Sequence, residues 1–391
     1  MSEYISSNAN RFYAAVESAY GQAAPITALN RFPALRVQAR QVLTPSRRRD
    51  KTGARTYAGA SSTGRRVTAF QVDTYFTSWS NTSEPSYGVF FQAGFGASPI
   101  ISSPLTVAAG VSSLQIRTTA PHGLSTGCGI SYGGEIRFVT AVPDDLTFAF
   151  NAPFTVPVTA SSVVCPAITY KLASSLPSIT IYDYWAPLGA VSRIIAGASV
   201  DRLQISIDGD QYGLRFSGCA ADLLDSSSFA GPAVTAGLST FPTEPALGNF
   251  DYSIVPGHLG QVWLGSTQTQ FFTLTSANIE VKNNIVPRDR EFGSSYPKAI
   301  LAGRREVIAD FNMFAQDDAD TAALYAAAKS RTPTSAMLQL GQGVRQLMGI
   351  FLPAIVPEIP AYNDADARLE WEFKNNVAQG YADDEIYIAF A

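Results

Sequence analysis

A short segment that occurs twice constrains the fold of this chain more than any other feature of its sequence. Residues 64–75 read GRRVTAFQVDTY, and residues 303–314 read GRREVIADFNMF. Aligned without gaps, their apolar and polar positions alternate in the same phase, so that Val72 falls on Phe311. Because a slip of one residue would invert the two faces of a strand, agreement in phase indicates a repeated strand. The sequence therefore predicts an internal repeat.

The residues before the two copies also match. A proline followed by mixed basic residues lies upstream of each copy, at residues 45–50 and 287–290. A short strand is predicted before each of these loops, at residues 35–42 and 279–282. The order strand, long basic loop, strand is thus predicted in both halves. Two unrelated hairpins would give the same order and are the alternative to a repeat.

Most of the remaining chain is typical of short strands separated by turns. Segments from Leu35–Val42 to Ile386–Phe390 are rich in β-branched and aromatic residues and are bounded by Gly, Pro, Asn or Asp. The dipeptide Asp208-Gly209 predicts a hairpin between two of them. The chain is therefore predicted to be mainly β.

Helices are predicted at three places. The Ala-rich run Thr321–Lys329 follows Asp317 and Asp318, either of which can cap a helix N-terminus. A shorter candidate covers Tyr87–Phe95, and a weaker one covers Arg11–Tyr20.

The two halves differ by an insertion. The first half is assigned to residues 1–98 and 167–225, and the intervening residues 99–166 are predicted to form a small β module. The second half covers residues 249–391. Residues 226–248 are rich in Ser, Gly, Pro and Ala, which is typical of a linker.

Residues suited to catalysis or metal binding are scarce. The chain has only 2 His and 3 Cys. His122 and His258 lie in Pro/Gly turns, and no third ligand lies at metal spacing from either. Cys128, Cys165 and Cys219 form no CxxC pair, which is typical of reduced thiols in a protein made in cytoplasm. We predict no enzymatic activity, no cofactor and no metal site.

Charge is distributed in two blocks of opposite sign. Residues 31–66 contain ten Lys or Arg and one acid, a net charge of +9. Residues 358–391 contain eight acids and two bases, a net charge of −6. Such blocks suit self-association, in which the basic part of one copy meets the acidic part of another. A nucleic-acid patch is disfavoured because the whole chain has a net charge of −4, and solvated charges without a partner remain an alternative.

These features together resemble the major tail (tail tube) proteins of tailed bacteriophages. The run Val16–Pro25, with its Glu, Gly and Pro, is similar to the N-terminal run of that family. The strand pair Ile179–Tyr184 and Arg202–Phe216 is also similar, as is Gly303–Val307 followed by a helix. The resemblance omits the module at 99–166.

The resemblance implies a β-sandwich with a flanking helix, here present as two tandem tail-tube-type domains. Subunits of that family close into rings whose inner sheets form a barrel, and a long loop stacks the rings into a tube that conducts DNA from the capsid to the host. Most such rings are hexamers of a single domain. Two domains in one chain imply a homotrimeric ring with pseudo-sixfold symmetry, the module on its outer surface, and other tail proteins at the tube ends.

Arginines of the loops and of the repeated segments are the predicted contacts between subunits or rings. They are Arg47, Arg48, Arg49, Arg65, Arg66, Arg288, Arg290, Arg304 and Arg305. Each cation touching phosphate adds salt-sensitive affinity, so a conduit for DNA is expected to keep such residues out of its bore. The lumen is accordingly predicted to be polar and neutral to acidic, and DNA is predicted to pass without specific binding.

Low charge and abundant aromatic residues suit a protein that buries large surfaces between copies: 15% of residues are charged and 11% are aromatic. We expect a virion tail protein assembled in the host cytoplasm. No apolar run approaches the ~18 residues of a membrane span, so no membrane partner is predicted. The alternative is a virion-surface β-sandwich module that binds a host receptor or glycan. An enzyme ranks third and depends only on the carboxylates of Asp383–Glu385.

Overall fold

A computed structural model describes residues 4–44, 51, 53, 55, 64–79, 84–108, 112–187, 189–229, 236–247, 252–265, 270–271 and 273–391. The predicted mainly β fold is confirmed. Its helices are α1 (Gly88–Phe95) and α2 (Ala319–Ser330). Its strands are β1 (Asn10–Val16), β2 (Arg31–Phe32), β3 (Arg36–Thr44), β4 (Arg65–Tyr75), β5 (Ile100–Ile101), β6 (Leu105–Thr106), β7 (Gln115–Arg117), β8 (Gly129–Tyr132), β9 (Glu135–Asp144), β10 (Thr147–Phe150), β11 (Val163–Val164), β12 (Ile168–Lys171), β13 (Ile179–Trp185), β14 (Arg193–Ile207), β15 (Tyr212–Ala220), β16 (Asp222–Asp225), β17 (Gly260–Leu264), β18 (Gln270–Phe271), β19 (Leu274–Lys282), β20 (Val286–Pro287), β21 (Ile300–Leu301), β22 (Glu306–Phe314), β23 (Thr334–Leu340), β24 (Met348–Val356), β25 (Ala361–Asn363), β26 (Glu370–Ala378) and β27 (Tyr387–Phe390).

One antiparallel sheet runs through both halves of the chain. Its strand order is β3-β4-β15-β14-β19-β22-β26-β25, and we call it the inner sheet. One face of this sheet is apolar and packs into the main core, with Val72, Leu203, Phe216, Ile279 and Phe311 all buried. The other face is polar because the strands alternate.

Two further sheets cover the apolar face. The first has the order β2-β1-β13-β14-β16, in which β14 takes part through its N-terminal half. The second has the order β18-β17-β23-β24-β27-β12-β5. We call them the first and second outer sheets. The described residues therefore form two layers of sheet around a core shared by both halves.

The two halves repeat the same strand pairings. Each pairing in the first half has a counterpart in the second: β1·β2 with β17·β18, β1·β13 with β17·β23, β13·β14 with β23·β24, β14·β16 with β24·β27, β3·β4 with β19·β22, β4·β15 with β22·β26, and β14·β15 with β25·β26. The helices also correspond, since α1 follows β4 and α2 follows β22.

The repeated segment found in the sequence forms β4 in the first half and β22 in the second. Burial alternates in the same phase along both strands, with Thr68, Phe70 and Val72 buried in one and Val307, Ala309 and Phe311 in the other. The predicted phase is confirmed. The two halves also agree on the outward faces of the outer sheets, where corresponding strands place four residues opposite one another in a row. The first row is Tyr13-Tyr182-Ile194-Leu224, and the second row is Trp263-Met337-Phe351-Tyr387.

Different segments cover the two outward-facing rows. The first row packs against Leu238 and Phe241, so part of the predicted linker lies on the first outer sheet. The Arg11 guanidinium holds this segment by donating two hydrogen bonds, of 2.5 and 2.6 Å, to the Glu244 carboxylate. Tyr13 donates a third hydrogen bond of 3.0 Å to the same group.

The inserted residues form their own small sheet, in the order β7-β10-β9-β8, with a separate core that includes Ile116, Ile130 and Phe148. This module packs on the outward face of the second outer sheet, where Ile136 and Phe138 lie against the second row, Trp263-Met337-Phe351-Tyr387. The approach is close at glycine positions: a Cβ added at Gly349 would lie 2.8 Å from the Phe138 ring.

Arg137 lies fully buried where the module meets the second outer sheet. Its guanidinium forms an ion pair of 2.8 Å with Glu135 and lies 4.0 Å from the centre of the Trp263 ring. It also donates hydrogen bonds of 2.7 and 2.9 Å to the backbone carbonyls of Ile136 and Pro153, and one of 3.1 Å to the Gln339 side chain. Burial lowers the pKa of Arg137 to about 10 despite the ion pair, which raises it.

Two of the three predicted helices are present. Helix α2 is capped as predicted, with the Asp318 side chain accepting a 2.6 Å hydrogen bond from the Thr321 N–H, and α1 occupies the shorter candidate. The weak prediction of a helix over Arg11–Tyr20 is wrong, because residues 10–16 form β1. Pairing with β2 and β13 on both sides of β1 outweighs the helix propensity of its alanines. The predicted hairpin at Asp208-Gly209 is confirmed by the pairing of β14 with β15.

Candidate subunit interface

The two halves meet at a junction formed by β14 and β19. Their antiparallel register runs from Arg202 opposite Lys282 to Ile207 opposite Ala277. On the core side, Ile205 lies opposite Ile279, and both are buried. The junction is therefore a fully packed strand pair between the last inner strand of the first half and the first inner strand of the second half.

Polar contacts close the other side of this junction. The Glu280 carboxylate accepts from Arg202 at 3.0 Å and from Lys282 at 3.3 Å. The Gln204 amide donates a 2.8 Å hydrogen bond to the Asn278 oxygen. The junction thus joins the halves through both faces of the sheet.

The two outermost inner strands each have one neighbour among the described residues. β3 pairs with β4 and β25 pairs with β26. Apolar side chains are exposed along both edges: Val42 and Leu43 on β3, and Ile359 and Tyr362 on or beside β25. An exposed apolar strand edge favours pairing with another strand.

An aromatic group lies beside the β25 edge. The Trp371 ring lies 5.3 Å from the Tyr325 ring and 5.8 Å from the Tyr362 ring, measured between centroids. Tyr362 is 57% exposed, whereas Ile205, which holds the same place relative to β15 in the first half, is 0% exposed. The difference arises because β19 covers Ile205 and no described strand covers Tyr362.

Charges on the polar face differ between the two edges. At the β3 edge, the Asp73 carboxylate accepts from Arg36 and Arg215, each at 2.7 Å, and Arg40 is exposed nearby. Burial alone would raise the pKa of Asp73, but hydrogen bonds from Arg215, Arg36 and Gln71 outweigh it and hold that pKa below its usual value. The β3 edge is therefore basic.

The β25 edge is acidic on the same face. Its neighbour β26 carries Glu370 and Glu372, and the Asn363 amide lies 3.5 and 3.3 Å from their carboxylates. Members of the two charge blocks, Arg36 and Arg40 of the basic one and Glu370 and Glu372 of the acidic one, thus lie at opposite edges of one sheet.

Two of the predicted contact arginines are engaged within the subunit. Arg66 forms a 2.7 Å ion pair with Asp222, which begins β16. Arg305, its counterpart in the repeat, forms a 2.9 Å ion pair with Asp383, shortly before β27. Both ion pairs connect the start of an inner strand to an outer strand within one chain, and the contact of these two side chains with other subunits stays a prediction.

Of the remaining predicted contacts, those that the structure describes lie at one end of the inner sheet: Arg65, Arg288, Arg290 and Arg304. The second loop, residues 283–305, forms an arm with the short hairpin β20·β21. Arg288 and Arg290 lie on this arm and are exposed, as is Arg304, and Arg288 pairs with Glu291 in the arm. Arg65 is exposed and donates a 3.4 Å hydrogen bond to the Arg290 carbonyl. Arg47, Arg48 and Arg49 lie outside the described residues.

Apolar side chains on the arm were not among the predicted contacts. Phe292 at its tip is fully exposed, and Val286 and Leu301 on its short hairpin are also exposed. Their apolar character within an otherwise basic loop was the available signal in the sequence.

The run Val16–Pro25 has a clear structural role. The Glu17 side chain is buried and accepts four hydrogen bonds, from the Gly21 and Gly197 N–H groups at 2.7 Å each and from Ser178 and Thr180 at 2.6 and 2.7 Å. This carboxylate ties the end of β1 to β13 and β14. Its position fits a structural role within the fold.

Groups suited to chemistry are sparse in the part of the chain that the structure describes. It contains no cluster of three His, Cys, Asp or Glu side chains able to hold a metal ion. His122 serves a loop, accepting a 2.9 Å hydrogen bond from the Leu124 N–H. Cys128, Cys165 and Cys219 are free cysteines. None of the helices described is both long and apolar enough to cross a membrane.

The chain matches no known protein-family model, and it has no significant match among curated proteins.

Proposed function

We propose that this chain is a tail tube protein of a tailed bacteriophage, a structural polymer that forms stacked rings through which DNA passes from capsid to host. The observation that carries the proposal is the junction of β14 with β19 together with the two open edges, β3 and β25. In the repeat, β3 corresponds to β19 and β25 to the second part of β14. The open edges are therefore the two strand types that already pair inside the chain.

Repeating this junction between chains would close a ring. Pairing of β25 in one chain with β3 in the next leaves no open inner edge when the last chain meets the first. Three chains would supply six repeated units, which gives a homotrimer with pseudo-sixfold symmetry. Contacts of this head-to-tail kind form closed rings when the rotation allows closure.

The polar face of the inner sheet suits a bore that conducts DNA. Its arginines are partly neutralised, as in the Arg36–Asp73–Arg215 group and the Arg202–Glu280 pair. A mixed face of this kind offers phosphate no continuous track of cations, so DNA would move without specific binding. The module packs on the opposite side of the molecule, on the second outer sheet, which supports a place on the outside of the tube.

Electron microscopy of the purified protein in negative stain, with mass measurement of the particles, tests the proposal. At high concentration we expect rings of three chains and tubes built from them. A discrete oligomer without a central bore would instead support the virion-surface binding module, and six chains per ring would refute the trimer. In the virion, such tubes would meet other tail proteins at their ends.

We predict that Phe292→Ser abolishes stacking while leaving rings intact. The exposed Phe292 side chain at the tip of the arm is suited to burial against a neighbouring protein ring. Burying such a side chain stabilises the contact by about 2 kcal/mol, and the serine variant loses this free energy. Micrographs check this: the variant is expected to show single rings and no long tubes. Tyr381→Ser, at an equally exposed aromatic outside the arm, is the control and is expected to keep long tubes.

A further inference from the structure

We infer that the ring closes in one defined register, with Ala361 of one chain opposite Arg40 of the next and Asn363 opposite Gln38. The partner is a second copy of this chain. This inference rests on the proposed function and adds the register and the charge pattern that selects it.

The repeat determines which residue of β3 corresponds to which residue of β19. Gln38 lies opposite Gln71 on β4, and Asn278 lies opposite Asp310 on β22. Gln71 and Asp310 hold the same position in the repeated segment. Gln38 therefore corresponds to Asn278, and Arg40 to Glu280.

The same reasoning applies to the other edge. Gln204 on β14 lies opposite Arg215, and Ala361 on β25 lies opposite Glu372. Arg215 lies opposite Asp73, and Glu372 lies opposite Asn312, which is the repeat counterpart of Asp73. Ala361 therefore corresponds to Gln204.

Combining the two correspondences gives the register. Within the chain, Gln204 lies opposite Glu280. Their counterparts, Ala361 and Arg40, consequently lie opposite each other between chains. The same register places Tyr362 opposite Ala39 on the core side, where a neighbouring strand would cover the exposed ring.

Charges along this row are reversed between the two junctions. Within the chain the row reads Arg215, Gln204, Glu280 across three strands. Between chains it reads Glu372, Ala361, Arg40, and the small alanine lets the two long side chains meet above it. Opposite charges across the junction favour this pairing, whereas two β3 edges or two β25 edges would place like charges together.

Apolar residues also correspond in this register. Two residues further along, Arg202 and Lys282 within the chain are replaced between chains by Ile359 and Val42. These two side chains are 59% and 49% exposed in the single chain. Their mutual burial explains why apolar side chains are exposed at both edges.

Cysteine cross-linking of the full chain tests the register. We expect Gln38→Cys combined with Asn363→Cys to form disulfides between chains under mild oxidation, because paired strand residues lie within disulfide reach. The largest product on a non-reducing gel should contain three chains. The matched control is Val42→Cys with Asn363→Cys, which lies on the same strand face but is displaced by about 13 Å along the strand. The single variants control for the three native cysteines.

Exchanging the two charges tests whether they select the pairing of β25 with β3. Arg40→Glu alone and Glu372→Arg alone are each expected to raise the protein concentration needed for ring formation by about tenfold, and the double variant is expected to restore it. Rings in micrographs without the Gln38–Asn363 cross-link, equal cross-linking of the displaced control, or no rescue by the double variant would overturn the register while leaving the proposed function in place. If the unaltered protein forms no rings, the proposed function fails and the inference fails with it.

Discussion

Replacing Arg137 by Met is expected to lower the free energy of unfolding by about 3–5 kcal/mol, the range for removing one partner of a buried ion pair. The substitution keeps apolar volume against Trp263 but leaves the buried Glu135 carboxylate without its cation. It also removes the donor to Gln339 on β23. Because these contacts join the module to the second outer sheet, we expect the module to become protease-sensitive before the rest of the chain unfolds.

Chemical denaturation and limited proteolysis check this prediction. The matched control is Arg117→Met in the same module, where the arginine side chain is exposed and a change below about 0.5 kcal/mol is expected. Equal destabilisation by the two variants, or an Arg137→Met protein as stable as the unaltered chain, would show that the buried guanidinium does not hold the module in place.

Replacing Glu17 by Ala is expected to destabilise the fold by about 3–5 kcal/mol, because two buried N–H groups and two hydroxyls lose their shared acceptor at once. The Gly21 and Gly197 N–H groups donate to this carboxylate, and the Ser178 and Thr180 hydroxyls donate to it as well. Glu17→Gln keeps the shape and one oxygen acceptor, so an intermediate loss is expected.

Thermal unfolding of the two variants beside Asp145→Ala, an exposed acid in the module, measures the effect. If Glu17→Ala unfolds at the same temperature as Asp145→Ala, the buried network contributes nothing to stability. If it unfolds at a lower temperature, the run Val16–Pro25 owes its Glu to a structural role in the fold.

Much of the inner sheet could be predicted from the sequence because strand faces are encoded locally. Alternation along residues 64–75 and 303–314 predicted which side chains of β4 and β22 face the core, and both strands follow it. Helix α2 was equally predictable, since its cap at Asp318 and its Ala-rich body are close in sequence.

The candidate interface was predicted only in part. Opposite charge blocks indicated self-association, but the predicted contacts were arginines of the loops and of the repeated segments and included no residue of the edge strands β3 and β25. Arg66 and Arg305 resemble the other loop cations in sequence, yet each meets a carboxylate more than 70 residues away, at separations of 156 and 78. Local patterns carry no information about such partners.

By itself, the sequence determined the mainly β character, the repeated strand with its phase, and the separation of basic and acidic residues. These properties depend on neighbouring residues and on a period of two. The tertiary structure alone decided that both halves share one sheet, that β3 and β25 are its outermost strands among the described residues, and that the module and residues 236–247 cover matching rows of the outer sheets. Strand order depends on pairings between distant segments, and the free energy of those pairings comes from burial that no local pattern reveals.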